Sequence, residues 1–133
     1  MTELPNLYFR VRDNGAAVFR INAENRERRI EMDQIAVINT NRGDYKAHGE
    51  STLSEHEEAA IKDWLQTRQA VLAARDMDDI HRAMDHLNLT AQWAQSRATD
   101  AQLDEVTDQL LMAMHDLRSV LVRKKADRLM KSG

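Results

Sequence analysis

Leu7, Phe9 and Val11 alternate with Tyr8, Arg10 and Arg12, the two-residue period of a strand with one covered face. Asp13-Asn14-Gly15 follows, and Asn-Gly tolerates the positive φ that a tight hairpin turn requires. Ala17, Phe19 and Ile21 then alternate with Val18 and Arg20. Asn22 to Glu27 is polar and predicts a loop. Ile30 and Met32 alternate with Arg29 and Glu31, and Ile35-Ala36-Val37-Ile38 is a short β-prone run. Asn41-Arg42-Gly43-Asp44 is a second turn signal, before Tyr45-Lys46-Ala47-His48. The pattern predicts four or five short strands in an antiparallel meander over residues 1–52. Such a sheet holds together only with one face covered.

From Ser54 the period becomes helical. Ser54-Glu55-His56-Glu57 is a capping box, serine at the N-cap and glutamate three residues on. Ile61, Trp64, Leu65, Arg68 and Leu72 mark one face of a first helix. Asp76 is placed to cap a second helix, with Ile80, Ala83, Met84, Leu87, Ala91 and Ala94 as its stripe. Thr99 and Gln102 form another capping box. A third helix carries Leu103, Val106, Leu110, Ala113, Met114, Leu117 and Leu121 at near-heptad spacing. The only proline is Pro5, so no proline interrupts these helices. Short joints make consecutive helices antiparallel. The expected fold is α+β: a small N-terminal antiparallel β-meander (1–52) packed on a three-helix antiparallel bundle (53–133), together one compact unit. Leu110, Met114 and Leu117 are expected in its core. The third helix should outrun its partners and leave Leu129 and Met130 on a basic overhang.

The run Leu53-Ser54-Glu55-His56-Glu57-Glu58-Ala59-Ala60-Ile61, followed by Leu65, Leu72, Asp76, Ile80, Met84 and Leu87, resembles the C-terminal helical lid of DnaK-type heat-shock chaperones. The likeness runs without gaps from Leu53 to about Gln92. It implies a helix with an acidic start, a short turn at the aspartate and a second helix. In that family the lid closes over a bound peptide, so the resemblance implies a peptide- or protein-binding role. It transfers no ATPase and no peptide-contacting residue, because the matched positions are core spacers.

Charge narrows the partners. Residues 1–52 hold 8 basic and 8 acidic side chains, residues 53–122 hold 6 and 13, and residues 123–133 hold 5 and 1. The acidic middle repels phosphate, so nucleic acid is disfavoured and only the last eleven residues could attract an anion. Aromatics are 5% of the chain, which leaves the core to aliphatic side chains. There is no cysteine, hence no disulfide or thiolate site and nothing that argues for secretion. No apolar run approaches the roughly 20 residues of a membrane span, and the first residues lack a signal-peptide pattern. A cytoplasmic protein without membrane contact is the expectation.

Chemical motifs are few. The four glycines form no phosphate-binding loop, and no nucleophile elbow is present. His81 and Asp85 are four apart beside His86, but a third metal ligand is not evident and polar surface positions explain them. Asp76, Asp78 and Asp79 lack the spacing of a calcium loop. No catalytic, cofactor or metal residue is assigned, and no cofactor is expected. Two features point to binding. Trp93 lies off its helix stripe, free to cover the sheet or anchor a partner. Arg123, Lys124, Lys125 and Arg128 cluster near the end of the third helix, where cations complement the dipole or meet an acidic partner. The expected function is a non-enzymatic protein-interaction module, chaperone-like or an assembly adaptor, whose partner is another protein or a second copy in a homodimer. The alternative is a small regulatory protein touching nucleic acid through its basic C-terminal helix.

Overall fold

A computed structural model describes residues 6–22 and 30–132. The order is β1 (Leu7–Arg12), β2 (Gly15–Asn22), β3 (Glu31–Asn39), β4 (Asp44–Ala47), α1 (Glu55–Ser96) and α2 (Asp100–Ser132). The chain divides into two compact units, Met1–Asp79 and Ile80–Gly133, and α1 contributes to both. Of the expected polar loop Asn22 to Glu27, Asn22 is the last residue of β2 and residues 23–27 lie outside the described residues.

The first unit is a four-stranded antiparallel sheet in the order β1-β2-β3-β4, covered on one face by the start of α1. Phe9 pairs with Val18, Val18 with Ala36, and Ile38 with Tyr45, so these side chains share the covered face. Between β2 and β3 the register shifts: Val18 faces Ala36 but Phe19 faces Gln34, which leaves Ile35 as an extra residue. The bulge lets Ile35 and Ala36 both enter the core with Ala16, Val18, Ile38, Ile61 and Leu65. Gly15 permits the β1–β2 turn to lie against β3, since a Cβ there would meet the Ile38 carbonyl oxygen at 1.8 Å. The second turn closes on Gly43 (φ 75°), whose N–H donates to the Asn39 carbonyl at 2.9 Å. Met32 of the expected Ile30–Met32 segment and the Ile35–Ile38 run lie on the single strand β3, and Ile30 stands just before it.

The helical part corrects the expected bundle. The sheet is followed by two helices, not by a three-helix antiparallel bundle. Asp76 caps nothing: α1 runs through it without a break for 42 residues, so the turn implied by the chaperone-lid likeness is absent. The reason is local. No glycine or proline occurs between Glu50 and Ser132, and Asp76 is preceded by the strong helix formers Ala73, Ala74 and Arg75 and followed by Met77. A single aspartate costs a fraction of a kilocalorie inside a helix, roughly 0.7 kcal/mol or less. Leaving the helix there would forfeit several backbone hydrogen bonds. The two capping boxes do form. Ser54 Oγ accepts the Glu57 N–H at 3.1 Å while the Ser54 N–H donates to Glu57 Oε1 at 3.0 Å. Thr99 and Gln102 repeat the exchange at 3.0 and 3.2 Å.

In the second unit, residues 80–96 of α1 and all of α2 are joined by residues 97–99. The Trp93 carbonyl accepts the Arg97 and Ala98 N–H groups at 2.8 and 3.0 Å, which ends α1. Thr90, Trp93, Ala98, Leu103 and Val106 are half-buried around this joint. No described residue from Ile80 onward is fully buried. The expected core seam is therefore corrected as well: Leu110, Met114 and Leu117 are exposed, Leu117 at 53%. Because the expected first and second helices are the single helix α1, the second unit has only residues 80–96 of it to set against this seam. Leu129 and Met130 are exposed, as a basic overhang requires.

Candidate interaction surface

The polar groups of the first unit are used in holding α1 to the sheet. Arg20 on β2 forms a two-pronged ion pair with Glu57, Nε to Oε2 at 2.7 Å and Nη2 to Oε1 at 2.9 Å, and reaches the Thr52 carbonyl at 3.3 Å. The Arg20 guanidinium, with the Ser54 N–H, holds the Glu57 carboxyl down at about 2 against the opposing effect of burial. A carboxylate so stabilised in its charged form is a poor proton acceptor near neutral pH. Tyr45 donates to Glu58 Oε1 at 3.1 Å, and burial followed by Glu58 pushes its phenol up. Gln69 Nε2 donates to the Thr40 carbonyl at 3.1 Å. Trp64 stacks on Phe9, ring centres 5.1 Å apart and planes 2° from parallel. These contacts hold the start of α1 against the sheet.

The sequence pattern did not disclose the Arg20–Glu57 pair, because Arg20 read as the outward residue of an alternating strand and Glu57 as a cap. It also missed the outer face of the sheet, where the Arg10 guanidinium lies 4.5 Å from the Phe19 ring centre and 6.0 Å from that of Tyr8. A signal was present: Tyr8 and Arg10 stand two apart on one face of β1, and the hairpin register sets Tyr8 opposite Phe19.

The large exposed surface belongs to the second unit. Met84 and Leu87 on α1, and Leu110, Leu111, Met114, Leu117, Leu121 and Val122 on α2, are exposed by 37% or more. Trp93 is half-buried near the joint, beside a shallow cleft of about 390 Å³ lined with His86, Leu87, Thr90, Val106 and Leu110. Arg123, Lys124, Lys125 and Arg128 are exposed far along α2. Arg123 lies 17 positions beyond Val106, which is about 25 Å at 1.5 Å per residue. Trp93 and the basic cluster are thus two ends of the helical unit and not one site. Among the described residues no three His, Cys, Asp or Glu side chains gather as a metal site. No helix among them is long and apolar enough to cross a membrane. No protein-family model matches the chain, no curated protein matches it, and no solved structure matches its fold.

Proposed function

We propose that this chain is a non-enzymatic protein-interaction module, an assembly adaptor whose helical unit docks onto protein. The observation that carries this reading is the absence of any fully buried residue among described residues 80–132, against apolar exposures from 37% at Leu110 to 82% at Met130. Contiguous exposed apolar surface of this kind marks interaction sites. Covering one half-exposed Leu or Met side chain contributes about 1 kcal/mol. Association costs about 4–15 kcal/mol in lost freedom, so the whole face must engage, and no single residue suffices. The Arg20–Glu57 and Tyr45–Glu58 contacts fit the first unit to the role of a stable support.

The test compares the full chain with a Leu117→Ser/Leu121→Ser variant in affinity capture from the native host. The expected result is a protein recovered with the wild type and at least several-fold depleted with the variant, while the first unit's Trp64 emission stays unchanged. Equal recovery with both would overturn the reading. The chaperone-like form of the same function is favoured by Met84, Met112, Met114 and Met130 on this surface, since methionine adapts to varied partners. Suppressed aggregation of an unfolded client at equimolar ratio would select that form. The regulatory, nucleic-acid-binding alternative draws only on the basic end of α2, where residues 123–132 include no aromatic to stack a base. A cytoplasmic location belongs to the same reading, in keeping with a cysteine-free chain.

A further inference from the structure

Charge on α2 is arranged in two blocks. Residues 100–117 hold Asp100, Asp104, Glu105, Asp108 and Asp116 with no lysine or arginine. Residues 118–132 hold Arg118, Arg123, Lys124, Lys125, Arg128 and Lys131, opposed only by Asp127. The helix dipole accounts for Asp100 and Lys131, which lie in the first and last turns, but its effect ends within those turns. It does not account for Asp108, Arg118 or Arg123. Inside the helix the blocks are unfavourable, because Asp100–Asp104, Asp104–Asp108 and Lys124–Arg128 are like charges four residues apart. Residues 80–96 of α1 carry only Arg82 and Asp85 besides histidines, so they supply no net charge to offset either block. Exposed apolar positions begin at the C-terminal end of the acidic block and cross the junction into the basic one: Leu110, Leu111, Met114, Leu117, Leu121, Val122 and Leu129 are all exposed, while Leu103 and Val106 are half-buried at the joint.

We propose that α2 is the interface of a symmetric homodimer in which two copies of the helix lie antiparallel, acidic half against basic half. This rests on the reading of the helical unit as a protein-binding surface and names its occupant. A two-fold axis applies the same patch to itself, and α2 is complementary to its own reverse. With the axis level with Asp116, residues 100–108 of one copy come level with the basic residues 124–132 of the second, and Leu111 with Leu121. The match is between charged segments and not between single pairs, since Asp108 and Lys124 lie on different faces of the helix. A parallel pair would set acid on acid and base on base along its full length. The opposed blocks choose the orientation, and the apolar strip supplies the area. A contact strip about 50 Å long and 10 Å wide on each copy hides about 1,000 Å² in total, just short of the roughly 1,200 Å² at which stable specific interfaces begin and in the range of weak, reversible ones. The dimer is therefore expected to form at micromolar rather than nanomolar concentration.

Sedimentation equilibrium of the full chain, from low to hundreds of micromolar at low salt, should show a reversible monomer–dimer equilibrium. Two variants test the charge logic: Asp104→Lys/Glu105→Lys/Asp108→Lys, and Lys124→Glu/Lys125→Glu/Arg128→Glu. Each alone should weaken the dimer at least about tenfold. Their equimolar mixture should recover a heterodimer of near wild-type affinity, a rescue that a misfolded variant could not give. A spin label on a cysteine at Ala101, in a chain without native cysteine, should read a separation of about 45 Å between copies. A short separation, or no rescue in the mixture, would overturn the proposal. So would a wild type that stays monomeric throughout. If that monomer still captures a host protein through Leu117 and Leu121, the interaction-module reading stands and only the choice of a second copy fails. If capture is lost too, both fall.

Discussion

The two units reach ordered backbone by different physical routes. In the first, β2 is buried from Gly15 to Phe19, and α1 is held to the sheet by Arg20–Glu57, Tyr45–Glu58, Gln69–Thr40 and the Phe9–Trp64 stack. A strand satisfies its N–H and C=O groups only through other strands, so the sheet cannot exist without long-range packing. In the second, every described residue from 80 to 132 keeps some exposure, and the backbone is satisfied within each helix. A helix can thus form while its apolar side chains stay uncovered, although helices without tertiary packing are only marginally stable in water. The contrast separates a unit with a buried core from one whose apolar side chains all keep some exposure.

The largest expected effect tests the closed unit at its tightest point. At Gly15 a Cβ would sit 1.8 Å from the Ile38 carbonyl oxygen and 2.7 Å from its carbon. Both are backbone atoms that cannot swing aside. Gly15→Ala should cost about 3 kcal/mol or more, at the upper end for overpacking, and chemical denaturation followed by Trp64 emission would show it. Ile61 comes next. It is 0% exposed, on the α1 face against the sheet, and Ile61→Ala should cost about 2–5 kcal/mol. A loss under about 1 kcal/mol would mean that the first unit is not the self-sufficient one.

How much of this was legible follows the same division. The strand period of Leu7, Phe9 and Val11, the Asn14-Gly15 turn and the caps at Ser54 and Thr99 are local signals, and the structure contains each of them. The Thr99 box marks a real joint because Arg97-Ala98 breaks the apolar stripe there and Gln102 returns the hydrogen bond. Asp76 offered a capping cue without the Glu or Gln three positions on that completes a capping box: Asp79 stands there, with a side chain one methylene shorter. An aspartate with no glycine or proline nearby is weak evidence for a helix end. The apolar period of Leu110, Met114 and Leu117 announced an apolar face but not what covers it, since a stripe that packs inside the chain and one that packs on another chain are written alike. The Arg20–Glu57 pair joins residues 37 apart in sequence and had no local signature. For the candidate surface, Trp93 and the Arg123–Arg128 cluster were found as residues, and their separation along the helical unit was not.

A smaller effect comes from acid. The Glu57 carboxyl is held at about 2, against an ordinary value of 4.5. A lowered folded-state value makes the charged form stabilising, so its contribution is fully present above about pH 4.5 and is lost as pH falls toward 2. Glu57 keeps 13% of its side-chain exposure, but Arg20 keeps 46%, and water screens the pair to about 1 kcal/mol or less. Glu57→Gln should lose that amount at pH 7 and flatten the stability profile between pH 4.5 and 2. An unchanged acid limb in denaturation experiments would place the pair outside the forces that join α1 to the sheet.

The smallest effect is the sharpest test of the contrast. Leu117 is chemically equal to a core leucine but is 53% exposed, with Met114 and Leu121 exposed beside it. Truncating it in a dilute chain removes little buried area, so Leu117→Ala should change unfolding by less than about 0.5 kcal/mol. The same substitution at high protein concentration should cost more, because a bound partner stabilises the folded state by mass action and the lost side chain weakens that binding. The decisive comparison is therefore Leu117→Ala against Ile61→Ala at two protein concentrations. Ile61→Ala should cost nearly the same at both, and Leu117→Ala should gain a cost only at the higher. A large, concentration-independent loss at Leu117 would mean that the helical unit closes on itself and that the two units do not differ in the way their exposures indicate.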